Sequence, residues 1–106
     1  MAQKEKTLNI RWASTAELQF LSILEFWIEH SKSTTYAEKL SELVWEKTRF
    51  LAKNPMAGPE SAFPETRKAA MGHYSIYYRI VDTEIIVTAF WDNRQDPKKL
   101  FDLLNE

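Results

Sequence analysis

Alternation of apolar and polar residues near the start of the chain predicts a strand over residues 7–13. Leu8, Ile10 and Trp12 are separated by polar residues, and this two-residue period is typical of a strand with one face in a core. These three side chains are therefore expected to point toward the interior.

The pattern then changes to helical spacing, which predicts a helix from Ser14 to about His30. Its apolar positions are Leu18, Leu21, Leu24, Trp27 and Ile28. Ser14 and Glu17 have the spacing of a capping box, in which each side chain bonds the backbone N–H of the other residue. We therefore expect Ser14 to cap this helix.

A second, longer helix is predicted after a short polar joint at residues 31–35. Thr35 and Glu38 repeat the capping-box spacing. Asn54-Pro55 ends the helix, because the residue before a proline is pushed out of the helical region. Its apolar positions are Tyr36, Leu40, Leu43, Val44, Phe50 and Leu51. The short joint makes the two helices an antiparallel hairpin.

The second half of the chain alternates between turn signals and apolar runs, which predicts three strands. A proline-rich loop spans residues 55–66, and strands follow at about 67–71, 73–81 and 85–91, with a tight turn at 82–84. The last strand is apolar at nearly every position, which is typical of a central strand covered on both faces.

A short helix is predicted at the end of the chain. Asp96-Pro97 has the pattern of an N-cap followed by proline at the first helical position, and Leu100, Leu103 and Leu104 supply its apolar positions. The predicted order is β-α-α-β-β-β with this tail helix. It is an α+β fold in which a helical hairpin packs on a small, mostly antiparallel sheet, in one domain over residues 1–106.

One helical hairpin covers one face of a sheet, so the other face needs a second cover. We expect Tyr77 and Phe90 to lie on that second face. Either the tail helix covers it, or it stays open as an apolar surface for a protein partner.

Composition narrows the class of protein. The 106 residues carry a net charge of -1 and no cysteine, which excludes disulfides and favours a cytoplasmic protein. The polar residues 1–6 are unlike a signal peptide, and no run approaches the ~20 apolar residues of a membrane span. The slightly acidic balance is unfavourable for a broad nucleic-acid surface.

Motifs of common enzymes are absent from the sequence. There is no glycine-rich phosphate loop and no metal-ligand spacing around His30 or His73, so no cofactor and no metal is implied. A metal-independent ribonuclease stays open, since it needs a proton-transfer group and cations near the phosphate. His73 or a tyrosine could transfer the proton, and Arg67, Arg79 and Arg94 could supply cations. A solvated strand surface would explain His73 and Arg79 as well.

Residues 92–96 form a dense polar corner directly after the last predicted strand. Arg94 stands between Asp92 and Asp96, with either of which it could pair in a turn that leads into the tail helix. A functional role for Arg94 is the other reading, and both can hold together.

Several segments, in the same order, resemble the RelE/ParE superfamily, the toxins of bacterial type II toxin–antitoxin pairs. Residues 73–80 resemble its tyrosine-rich penultimate strand, and residues 85–97 resemble its last strand with the arginine–aspartate–proline ending. Arg67 matches the arginine that opens the three-strand part in ParE-like members. Residues 12–16 and 51–58 resemble the entry of the first helix and the exit of the second. The resemblance covers nearly the whole chain and implies the same fold.

The resemblance implies one of two activities. RelE-like toxins cut messenger RNA on the ribosome, whereas ParE-like toxins poison DNA gyrase. The chain departs from the ribonuclease branch at Ser75, where that branch usually has an arginine, and at Leu100, where it has a tyrosine or histidine. Glu60 and Glu65 stand in the loop where paired lysines are expected, and losing cations weakens a phosphate site. The ParE-like branch is therefore favoured.

The resemblance also implies partners and site residues. A cognate antitoxin would bind as an extended or helical segment, with Tyr77 and Phe90 as expected contacts. The expected contacts with gyrase are Arg67, Trp91, Asp92, Asn93 and Arg94. In the ribonuclease alternative the partners are the ribosome and messenger RNA. The catalytic residues are then His73, Arg79 and Arg94. A third reading is a non-toxic member that binds only its antitoxin.

Overall fold

A computed structural model describes residues 7–104, and the polar segment 1–6 lies outside the described residues. The elements are β1 (Asn9–Trp12), α1 (Ser14–Ser31), α2 (Thr35–Lys53), β2 (Arg67–Met71), β3 (Tyr74–Val81), β4 (Glu84–Asp92) and α3 (Pro97–Leu104). This order confirms the predicted α+β fold with its helical hairpin and tail helix. None of the described helices is long and apolar enough to cross a membrane.

The four strands form one sheet in the order β1-β4-β3-β2. β1 pairs with β4 in parallel and the other two pairs are antiparallel, so the sheet is mostly antiparallel as predicted. Val81 pairs with Glu84 across a two-residue turn, in which Asp82 has a φ of 55°. Aspartate adopts this left-handed conformation more readily than most residues. β4 lies inside the sheet, the central place that its apolar run predicts.

The N-cap of each helix lies one residue before the predicted cap, so both predicted capping boxes are wrong. Ala13 is the N-cap of α1, and its backbone oxygen accepts the N–H of Glu17 at 3.0 Å. Thr34 is the N-cap of α2, and its hydroxyl donates to the Glu38 carboxylate at 3.1 Å instead of accepting a backbone bond. At α2, neighbouring serines and threonines make the cap position ambiguous, because each of them is a good cap.

An irregularity in β4 decides which of its side chains face the helices. Tyr77 pairs with Ala89 but Tyr78 pairs with Val87, so Thr88 is an extra residue opposite the step between the two tyrosines. A bulge of this kind reverses the alternation of side chains along a strand. Val87 and Phe90 therefore lie in the same core although they are three residues apart.

The main core lies between the sheet and the helical hairpin, and Phe90 belongs to it. Phe90 is fully buried, and its ring centroid lies 5.0 Å from that of Phe20, 5.3 Å from Tyr74 and 6.4 Å from Trp12. The predicted place of Phe90 on the second face of the sheet is wrong, because the bulge turns the ring toward α1.

The second face of the sheet carries a smaller core under α3. This core contains Tyr77, Ala89 and Trp91 of the sheet and Leu100 of α3. The ring of Phe63 packs edge-on against Tyr77, with 5.6 Å between the ring centroids. Tyr77 is only 7% exposed. The tail helix is therefore the cover of this face. Tyr77 and Phe90 are both buried among the described residues, so the sheet face is not open there, and their contact with an antitoxin stays a prediction.

Candidate functional site at the end of β4

The turn that follows β4 is a polar group held together by several hydrogen bonds. The guanidinium of Arg94 donates from Nε to Oδ1 of Asp92 at 2.9 Å and from Nη2 to Oδ2 at 2.8 Å. The backbone N–H of Arg94 also donates to Oδ1 of Asp92 at 2.9 Å. This two-pronged pairing fixes the plane of the guanidinium as well as its position.

The pair keeps both the Arg94 guanidinium and the Asp92 carboxylate in their charged forms. Hydrogen bonding from Arg94 lowers the pKa of Asp92 below its usual value, and the same bond raises the pKa of Arg94. The side chain of Arg94 is nevertheless 50% exposed, against 16% for Asp92. Arg94 also lies 6.0 Å from the centroid of the Tyr74 ring, whose π face attracts a cation. A partner can therefore reach Arg94 while Asp92 and Tyr74 hold it.

Two hydrogen bonds tie the turn to the beginning of β3. The Ser75 hydroxyl donates to Oδ1 of Asn93 at 2.8 Å, and the backbone N–H of Asn93 donates to the oxygen of His73 at 2.8 Å. Ser75 is fully buried, whereas Asn93 is exposed. The residue directly before Arg94 is thus bonded through both its main chain and its side chain.

A pocket of about 260 Å³ opens beside Arg94, between α1 and the turn. Its lining residues are Ser22, Ile23, Phe26, Trp27, Tyr74, Asp92, Arg94 and Gln95. The indole N–H of Trp27 donates to the Tyr74 hydroxyl at 3.0 Å, and burial raises the pKa of Tyr74. Since Tyr74 also stacks on the buried Phe90, the pocket wall is rigid. It suits an apolar side chain that lies next to a group bound by Arg94.

Trp91, an expected target contact, lies on the other face of β4. It is 8% exposed and packs against Tyr77 and Leu100. Its indole nitrogen is buried without a hydrogen-bond partner among residues 7–104. The structure therefore separates Trp91 from Asp92, Asn93 and the exposed guanidinium.

Arg67 lies at the far end of the sheet from the turn. It pairs with Tyr78, whereas Asp92 pairs with Tyr74. Its Nη1 donates to the backbone oxygen of Gly58 at 2.6 Å, so the side chain anchors the loop before β2. Arg67 therefore does not join the polar turn.

The three candidate ribonuclease residues are not brought together. His73 and Arg94 lie at the same end of the sheet, because Asn93 bonds the backbone of His73. Arg79 lies roughly 20 Å from His73 along β3, at about 3.3 Å per residue. Its Nη2 pairs instead with the Glu65 carboxylate at 2.6 Å. Arg79 therefore cannot act on the same phosphate as the other two.

Sequence reasoning identifies the polar turn but misses the groups that support it. Trp27 has only the spacing of an apolar helix position, and no motif signals its bond to Tyr74. Gln19 is a second such residue, because its Oε1 accepts the backbone N–H of Phe90 at 2.9 Å. β1 ends opposite Val87, so β4 has no strand partner among the described residues on that side at Phe90, and Gln19 satisfies the Phe90 N–H instead.

Comparison with known proteins finds a family model and a solved structure that match most of the chain. The model of the family described as "ParE toxin of type II toxin-antitoxin system, parDE" matches residues 10–97. A solved structure from P. aeruginosa, "Chromosomal ParDE TA system", has the same fold with a TM-score of 0.69 at 19% sequence identity. The similarity covers 79% of this chain and 94% of that chain. No curated protein sequence matches the chain.

Proposed function

The chain belongs to the ParE toxin family of type II toxin–antitoxin systems, and we propose that it arrests bacterial growth by binding DNA gyrase through the turn after β4. The observation that carries this proposal is the half-exposed guanidinium of Arg94, held in one plane by Asp92. A fixed cation is suited to a carboxylate or phosphate on a large partner. Because the proposed partner is DNA gyrase, we expect the protein to act in the cytoplasm.

Binding is favoured over RNA cleavage by the distribution of charge in the site. A metal-independent ribonuclease needs several cations and a proton-transfer group around one phosphate. Here Arg79 is paired with Glu65 at a distance from the turn, and Ser75 occupies a fully buried position where an arginine would have to lie. The messenger-RNA alternative is therefore the second candidate.

We further propose that a cognate antitoxin neutralises the toxin by covering the exposed surface of the helical hairpin. Large apolar side chains are exposed on both helices, among them Leu21 and Ile28 on α1 and Leu43 and Phe50 on α2, at 37–49% exposure. The two residues on each helix are seven positions apart and therefore lie on one side of it. Exposed apolar side chains that share a side are typical of a protein interface. An amphipathic segment laid across the hairpin would remove them from water.

The direct test is induction of the wild-type chain and of Arg94→Ala in bacteria that lack the antitoxin. We expect wild type to stop growth and Arg94→Ala to abolish the arrest while remaining folded. Arg11→Ala is the matched control, because Arg11 is also an exposed arginine in an ion pair, with Glu84 at 3.2 Å. Full toxicity of Arg94→Ala would reject the role of the turn.

The target is then identified with two assays on the same induced protein. Purified chain should inhibit supercoiling by purified DNA gyrase, and the 5′ ends of cellular messenger RNA should stay unchanged after brief induction. New codon-phased cuts in translated messages, with unaffected supercoiling, would assign the chain to the ribonuclease alternative instead. A folded chain without toxicity in its own host would favour the non-toxic reading.

A further inference from the structure

We propose that Ser75 is a positioning residue, which holds the turn so that Arg94 faces the target. This inference rests on the proposed function of the turn. Ser75 itself is fully buried in the sheet and cannot touch a partner. Its hydroxyl acts through Asn93, the residue directly before Arg94, at 2.8 Å.

The placement of Ser75 follows from the register of β3 and β4. Ser75 pairs with Trp91, the last residue but one of β4, so its side chain reaches the point where the chain leaves the sheet. A buried hydroxyl requires a hydrogen-bond partner, and Oδ1 of Asn93 supplies it. Because the buried Ser75 hydroxyl needs an acceptor, its hydrogen bond holds the side chain of Asn93 over the end of the strand.

The two bonds of Asn93 together restrict how the turn can rotate. Its N–H is held by the oxygen of His73, and its side-chain oxygen is held by Ser75. Without the Ser75 bond, the turn would keep the bond from the Asn93 N–H to His73 and the bond from the Arg94 N–H to Asp92, but the side chain of Asn93 would no longer be held. The guanidinium would then keep its pair with Asp92, but the turn that carries both residues would move more freely against the end of β3. Ser75 thus has a role of its own at the position where the ribonuclease branch has an arginine.

The first experiment compares Ser75→Ala with Ser61→Ala in antitoxin-free cells, with induced protein measured by immunoblot. Ser61 is a matched control, because its hydroxyl donates to the oxygen of Thr66 at 2.8 Å in the loop far from the turn. Ser75→Ala should need about five- to tenfold more protein to halve the growth rate, which is the factor that one hydrogen bond contributes. Ser61→Ala should behave like wild type.

A double-variant comparison separates positioning from a general loss of stability. Asn93→Leu removes the acceptor at an exposed position, and Ser75→Ala with Asn93→Leu should be no weaker than either single variant, because all three lack the same bond. Hydrogen exchange at the Arg94 amide should be faster than wild type in Ser75→Ala and unchanged in Ser61→Ala. Should Ser75→Ala fail to fold, Asn93→Leu carries the test alone.

The outcomes distinguish this inference from the proposed function beneath it. Wild-type toxicity and wild-type exchange at Arg94 in Ser75→Ala would overturn the positioning role, provided that Arg94→Ala is inactive. Additive losses in the double variant would also overturn it, since they would give Asn93 a target contact independent of Ser75. If Arg94→Ala itself stays toxic, the proposed function fails first.

Discussion

The hydroxyl of Thr88 donates a hydrogen bond to the backbone oxygen of Tyr77 at 3.3 Å, at the step where β3 and β4 change register. This bulge sends Phe90 into the core under the hairpin, while Trp91 packs under α3. Asp92 consequently pairs with Tyr74, whose ring lies beside Arg94. The geometry of the candidate site is thus set several residues before the turn begins.

Replacing Phe90 with alanine tests the new position of this side chain. Because Phe90 is fully buried against three other aromatic rings, Phe90→Ala should lower the free energy of unfolding by about 3–5 kcal/mol. Urea unfolding measures this loss. Antitoxin affinity per folded molecule should stay within twofold of wild type. A large loss of affinity in a protein of unchanged stability would show instead that Phe90 contacts the partner.

Periodicity predicts the elements of this fold, whereas the bulge and the bonds across the sheet are invisible in it. The spacing of Leu40, Val44 and Leu51 is enough to define the buried side of α2. Thr88 is an ordinary strand residue, and nothing in the sequence marks it as the extra one. Strict alternation along β4 therefore assigns Phe90 to the wrong face.

The candidate site was predictable where its residues are neighbours in sequence and hidden where they are not. Asp92 and Arg94 are two residues apart, so their pairing is a local property of the turn. Ser75 reaches Asn93 across 18 positions, and only the strand register brings them together. In the sequence alone, Ser75 is informative only because the ribonuclease branch usually has an arginine at this position.

Replacing Asp92 with an uncharged residue should change how the free energy of unfolding falls at acid pH. Arg94 lowers the folded-state pKa of Asp92, so the folded chain binds fewer protons than the unfolded chain near pH 4. The contribution is present above the unfolded pKa of about 3.9 and is lost as pH falls through the folded pKa. Solvent screening keeps this contribution small, since half of Arg94 is exposed.

Asp92→Asn should therefore lower the urea midpoint slightly at pH 7 and flatten its fall toward pH 2.5. Asp102→Asn, at an exposed position of α3, is the control for removing one carboxylate. Parallel acid curves for wild type and Asp92→Asn would contradict the predicted linkage.

Tyr78 offers a test on the opposite side of the pH range. Its ring is fully buried, and its hydroxyl donates to the oxygen of Pro55 at 2.7 Å and accepts the N–H of Gly58 at 3.0 Å. Tyr78→Phe leaves both backbone groups without this partner, which should cost about 1–3 kcal/mol. Tyr77→Phe removes a phenol hydroxyl from the second core and serves as the control.

The alkaline behaviour of Tyr78→Phe follows from the same burial. Burial raises the folded-state pKa of Tyr78, so its stabilisation is complete below the unfolded pKa of about 10 and is lost as pH rises through the folded pKa. Wild type should lose stability more steeply than Tyr78→Phe as pH rises above about 10. Equal slopes would show that the Tyr78 hydroxyl does not resist ionisation.

Placing a charge on the exposed surface of the hairpin should separate neutralisation from toxicity. Leu43 is 45% exposed on α2, so Leu43→Asp should leave the fold intact and keep growth arrest at the wild-type level. A desolvated carboxylate in an apolar interface is costly, and antitoxin affinity should fall by tenfold or more. Co-expression with the antitoxin and calorimetric titration of the purified pair measure the two effects. Glu42→Asp is the control, because Glu42 is an exposed neighbour of Leu43 and the substitution keeps its negative charge. If the antitoxin still rescues growth and binds Leu43→Asp as tightly as wild type, it covers a different surface.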